Sequence, residues 1–309
     1  MHVEPDARAA ADERSTLARI TLATLARVDL GVDADEATHP AVTEAAHLAR
    51  TLLRDEAAEG PSPTRRAALA RTLDQARAGV GAPDPLWPIE LAPPRDHLRR
   101  AAARTPGASP GTPLPAVVAW RAADVEAFDR AIHLLATVWP SARDELTRCT
   151  SQIALLRGET IDAHTDFVVH GAILVDRAHV GSPPRGLPAR VRLAELLVRG
   201  AAHTRCDAAG VTGPLLGPAA TASERRDLAG LLRQAVGTTR RVLLHERVLG
   251  HDPAPPPSIT QRRDRLAREA AGASATLARR RDAFTDRGNA VLDEVATLTR
   301  HLRNPRARG

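Results

Sequence analysis

Apolar residues return at helical intervals over most of this chain. In "TLARITLATLARVDLG" they fall at Leu17, Ile20, Leu22, Leu25 and Val28, which predicts one amphipathic helix. Similar spacing predicts helices over about 40–57, 64–78 and 95–104, a helical layer covering 1–105. Proline-rich breaks at 81–94, 105–115, 181–188 and 252–258 divide the pattern, since none of them can continue a helix. Further helices are expected over 122–137 and 140–150, where Trp139-Pro140 suits a turn into a helix with proline in its first turn.

The period changes between 150 and 176. The runs "IALLRG" and "DFVVHGAILVD" are β-rich and flank a polar turn, which predicts two or three short antiparallel strands. Helical spacing then resumes over about 187–206 and 223–249 and in a long closing segment. There Gly288, inside "FTDRGNAVL", marks either a helix joint or a point of close packing. The expected fold is mainly α with a small antiparallel β-sheet, an α+β arrangement. The expected organisation is an N-terminal helical layer over 1–105 and a core domain over 116–309, or one continuous domain made of both.

Composition narrows the function classes. No apolar run approaches the length of a membrane span, and the charged start, "MHVEPDARAAADERST", lacks the basic end and apolar stretch of a signal peptide. A cytoplasmic protein without a membrane partner is therefore expected. Cys149 and Cys206 stand far apart without CxxC spacing, which fits buried thiols rather than a thiolate metal site. The net charge of +6 raises the question of nucleic acid. All 43 basic residues are arginine, spread among 37 carboxylates with no basic tail, and aromatic residues make up only 2% of the chain. That distribution argues against a nucleic-acid partner.

Candidate chemistry centres on "RLAELLVRGAAHTR", residues 192–205. Two histidines four apart on a helix can grip one metal ion, and a glutamate beside the first can reach its water. Here that frame reads Arg199-Gly200-Ala201-Ala202-His203. A guanidinium carries no lone pair for a metal and glycine cannot act as a base, so His203 alone retains donor chemistry. Glu195, four residues before Arg199, is placed to pair with it. "HERVLGH" offers His245-Glu246, but His251 follows at the wrong spacing, and Gly250 suggests that the helix has ended. His164, Asp166 and His170 lie near the strands and would make a new metal cluster with His203 if the fold brought them together. No nucleophile elbow and no glycine-rich phosphate loop is present.

From about 116 to 305 the chain resembles the HEXXH-motif peptide-modification proteins found beside ribosomally made peptide natural products. Some of these are iron- and 2-oxoglutarate-dependent peptide β-hydroxylases. The resemblance is carried by "AFDRAIHLLATVWPSARDEL", "GAILVD", "AELLVRGAAH", "RRDLAGLLRQAV" and "FTDRGNAVLDEV", in that order. It implies a zincin-like core of helices and strands. On that resemblance the family's first histidine falls on Arg199, its glutamate on Gly200, its second histidine on His203 and its downstream histidine on Arg233.

The resemblance thus implies a degenerate site: a noncatalytic member, without metal or other cofactor, that binds a precursor peptide or a catalytic partner. The alternative is an active peptide-modifying enzyme with altered chemistry. It would use Fe(II) and 2-oxoglutarate through a rearranged metal site, or a metal-free anion pocket lined by Arg199 and Arg233.

Overall fold

The computed structural model describes residues 1–78, 88–105, 114–158, 162–181 and 186–303. Half of the proline-rich segment at 81–94, most of that at 105–115 and part of that at 181–188 lie outside them. Helices and strands follow in the order α1 (Ala7–Ala26), α2 (Pro40–Glu59), α3 (Pro63–Ala78), β1 (Glu90–Leu91), α4 (Asp96–Ala103), β2 (Ala116–Val118), α5 (Ala122–Val138) and α6 (Pro140–Cys149). Then come β3 (Gln152–Arg157), β4 (Ala163–Thr165), β5 (Ala172–Asp176), α7 (Ala178–Gly181), α8 (Ala189–Thr212), α9 (Ala222–His251), α10 (Pro257–Ala278) and α11 (Asp286–Arg303). The fold is mainly helical with a small mixed sheet. No described helix is long and apolar enough to cross a membrane.

Two compact units interleave along the sequence. One comprises Met1–Ala10, Arg121–Leu146 and Arg177–Gly309, and the other Ala11–Trp120 and Thr147–Asp176. The second unit holds the sheet. Its strand order is β1-β3-β5-β4, with β2 also paired to β3.

The expected antiparallel sheet is corrected here. β3 pairs with β1 and with β5 in parallel, and only the β2–β3 and β4–β5 pairs are antiparallel. The chain leaves β3, lays down β4 beyond its neighbour, and returns so that β5 inserts between them. Burial gives the physical reason. Ile153 to Leu156 and Ala172 to Asp176 are buried at every position, as strands covered on both faces must be, and such unbroken runs carry no alternation from which direction can be read. Apolar clusters in this unit pack Leu98, Ala101 and Ala102 of α4 with Ala154, Leu156 and Leu174 of the sheet, and Leu25 with Val42, Ala45, Leu69 and Leu73 of the helical layer.

The first unit is built on α8, α9, α10 and α11. α9 starts with a capping box in which Thr221 Oγ1 accepts from the Glu224 amide while Glu224 accepts from the Thr221 amide. Its core joins Ala202, Cys206 and Ala209 of α8 to Leu232, Ala235 and Val236 of α9 and to Val291 and Val295 of α11. Gly288 proves to be a close-packing point, since a Cβ there would lie 2.1 Å from the Leu215 carbonyl oxygen.

The amino-terminal arm of this unit is fastened by buried charge. Glu145, Arg205 and Arg240 are each 1% exposed. Glu145 accepts from both arginines and from the Asp6 amide at 2.8 Å. Arg205 donates to the Asp6 carbonyl at 2.8 Å, and Arg240 to the Val3 carbonyl at 2.5 Å.

Candidate functional site

The residues singled out around 192–205 lie on α8, and their partners lie on α9. Stepping four residues at a time, α8 presents Glu195, Arg199, His203 and Asp207, while α9 presents Arg233, Gly237, Arg241 and His245. Steps of four keep side chains on one helical face. The contacts pair these rows in antiparallel order: Asp207 with Arg233, His203 with Gly237, and Glu195 with Arg241 and His245. The result is a polar seam between the two helices.

Gly237 makes the middle of the seam possible. A Cβ at this position would stand 3.0 Å from His203 Nε2 and 3.6 Å from Arg199 Cγ. Its absence admits the imidazole and the arginine stem between the helices. Arg233 donates from Nη1 to both Asp207 oxygens, at 3.4 and 3.3 Å, in a partly exposed pair.

At the other end of the seam Glu195 is completely buried. Partners from three helices meet it there. Its oxygens accept from Arg192 at 3.0 Å, from Arg241 Nε at 2.8 Å, from His245 Nε2 at 3.0 Å and from Arg262 Nε at 3.1 Å. Burial alone would raise the carboxyl's pKa. The charge of Arg241 and the hydrogen bonds from His245 and Arg262 outweigh it and hold Glu195 well below the ordinary carboxylate value.

The remaining candidates go elsewhere. His245 is a partner of Glu195, Glu246 pairs with Arg263 at 3.1 Å, and α9 runs on through Gly250 to His251, so "HERVLGH" forms no ligand pair. Asp166 starts the 3-10 turn after β4 by accepting from the Val168 amide at 2.9 Å, and it pairs with Arg104 at 2.6 Å. His170 stacks edge-on against Phe167, and burial first, then the charges of Arg14 and His47, lower its pKa to about 4. His164, Asp166 and His170 belong to one unit and His203 to the other. Among the described residues, no group of three or more His, Cys, Asp or Glu is placed to hold a metal. Cys149 and Cys206 are buried free thiols, and burial pushes Cys206 up to about 12.

Arg192, Arg241 and Arg262 were not anticipated as members of the seam. Arg241 and His245 repeat on α9 the four-residue step of Arg199 and His203, but that spacing names no partner across the helix interface. The residues that the resemblance matched to metal ligands do not fit Fe(II), because Arg199 and Arg233 offer protonated donors and only His203 an imidazole. No known protein-family model matches the sequence, and no characterised protein is significantly similar to it.

Proposed function

We propose that this protein is a noncatalytic member of the HEXXH-motif peptide-modification family, binding a precursor peptide or a catalytic partner during ribosomal peptide natural product biosynthesis. The observation that supports this reading is the content of the α8–α9 seam. The positions matched to metal ligands carry Arg199 and Arg233, the position matched to the general base is Gly200, and Arg233 is paired with Asp207. Guanidiniums cannot bind a metal or accept a proton at ordinary pH. They do bind carboxylates through paired hydrogen bonds. An acidic residue of a peptide or partner therefore competes with Asp207 for Arg233, which is only partly buried.

The test is metal content after anaerobic incubation with Fe(II), Mn(II) or Zn(II). The natural protein is compared with a variant carrying Arg199→His, Gly200→Glu and Arg233→His. The reading expects an empty natural protein and about one equivalent in the variant, as restoring three ligands predicts. Stoichiometric metal in the natural protein would refute it and favour an active enzyme. The ligands to replace next would then be His164, Asp166, His170 and His203.

A further inference from the structure

Residues 1–6 precede α1, lie outside any helix or strand, and are held by four helices of the unit to which they belong. Each of α6, α8, α9 and α11 contributes one charged side chain to this seat: Glu145, Arg205, Arg240 and Glu294. Arg205 and Arg240 lie off the two rows that form the α8–α9 seam. The seat is thus distinct from the site of the function proposed above, and its reading stands whether or not the seam binds anything.

What these side chains hold is backbone. The Val3 amide donates to Glu294 Oε1 at 2.9 Å, the Glu4 amide to the same oxygen at 3.2 Å, and the Asp6 amide to Glu145 Oε2 at 2.8 Å. Arg240 donates to the carbonyls of Val3 at 2.5 Å and His2 at 3.2 Å, and Arg205 to that of Asp6 at 2.8 Å. Pro5 has no amide hydrogen, so every backbone donor from Val3 to Asp6 ends on a carboxylate. Main-chain contacts of this kind supply affinity without reading sequence.

One side chain is read as well. Val3 is completely buried and joins the apolar cluster that includes Cys206 of α8, Val236 of α9 and Val295 of α11. Its neighbours do other work or little. His2 is exposed, and Glu4 meets Arg247 at 3.5 Å in a partly exposed pair of small energetic weight. Asp6 Oδ1 accepts from the Arg8 and Ala9 amides at 2.9 and 3.0 Å, so that carboxylate serves the start of α1.

An empty seat is unfavourable. Glu145, Arg205 and Arg240 are each 1% exposed, and Glu145 accepts from both arginines. Departure of the arm strips the buried carboxylate of the Asp6 amide and the two buried guanidiniums of their carbonyl acceptors. Buried charge short of hydrogen bonds is strongly destabilising, so the vacated seat favours uptake of another backbone.

We propose that this seat is a peptide-binding site. It takes a non-helical segment of a partner that carries a β-branched apolar residue in the place of Val3 and a proline two residues on. The chain's own arm occupies the site as an intramolecular competitor.

The experiment is fluorescence anisotropy with a labelled peptide copying residues 1–8, titrated with the full natural chain and with full-length Val3→Asp and Val3→Ala. The arms of both variants fit the seat poorly. Val3→Asp is expected to bind the peptide at least about tenfold more tightly than the natural chain, because a docked arm competes at high effective concentration. Val3→Ala should shift the same way by at least about threefold, which keeps the test decisive if Val3→Asp fails to fold. Changed peptides then probe the seat without altering the protein. Methylating the Val3 amide nitrogen is expected to weaken binding by about tenfold or more, as loss of a hydrogen bond to a carboxylate predicts. Val3→Asp in the peptide should abolish saturable binding. His2→Ala with Glu4→Ala in the peptide should leave affinity within about threefold. The proposal is overturned if neither variant binds the peptide saturably, or if the natural chain binds it as tightly as they do. Undiminished binding of the methylated or Val3→Asp peptide overturns it equally. So does a loss of about tenfold on replacing His2 and Glu4, which would mark a tether matched to the chain's own arm alone.

Discussion

Replacing Glu195 by glutamine keeps the side chain's shape and removes its charge. The carboxylate is completely buried and accepts from Arg192, Arg241, Arg262 and His245. Without it, guanidiniums drawn from α8, α9 and α10 lose the carboxylate they share. Breaking a buried pair by removing one partner costs about 3 to 5 kcal/mol. At about 2 to 4 °C per kcal/mol for units of this size, the melting temperature falls on the order of 10 °C.

The pH dependence has a definite sign. Glu195 is held well below its ordinary value of 4.5, so its contribution is fully present above that value and is lost as the pH falls toward the folded pKa. The gap between the natural protein and Glu195→Gln therefore narrows under acid. Urea denaturation at neutral pH and at successively lower pH measures both effects. A variant within about 1 kcal/mol of the natural protein at pH 7 would refute the energetic argument. A gap that is as wide at about pH 3 as at pH 7 would refute the linkage argument.

Glu145→Gln should loosen the amino-terminal arm, because the same carboxylate holds Arg205, Arg240 and the Asp6 amide. Hydrogen exchange at the Asp6 amide is expected to speed up by about tenfold or more, consistent with loss of a charged hydrogen bond. Gly288→Ala and Gly272→Ala should differ in sign. A Cβ at Gly288 collides with the Leu215 carbonyl, whereas at Gly272 it meets nothing within 4 Å. Denaturation should show a loss of about 1 to 3 kcal/mol for the first and a gain of about 0.5 to 1 kcal/mol for the second. His39 should stay neutral far into acid. Burial, then the charges of His97 and Arg95, lower its pKa to about 3. The stability it contributes is present above the ordinary histidine value and is lost as the pH falls through the folded one. An NMR titration midpoint for His39 above about 5.5, near the unperturbed value, contradicts that.

Local periodicity determined the helices. The expected spans 40–57, 64–78, 122–137 and 223–249 correspond to α2, α3, α5 and α9, because burying one face of a helix writes a repeat of about 3.6 residues into the chain. The chemistry of Arg199 and Gly200 was equally legible, since a guanidinium lacks a lone pair wherever it lies. Partnership was not. Spacing can offer Glu195 only neighbours one turn away, such as Arg199, whereas Arg241 and Arg262, which hold that carboxylate, stand 46 and 67 residues away in sequence. The direction of β5 beside β3 was likewise silent, because strands buried on both faces show no alternation. Periodicity reports which face of an element is buried. Which charges meet across a helix interface, and which strands lie parallel, is decided by how the elements pack, a relation between residues that no local pattern records.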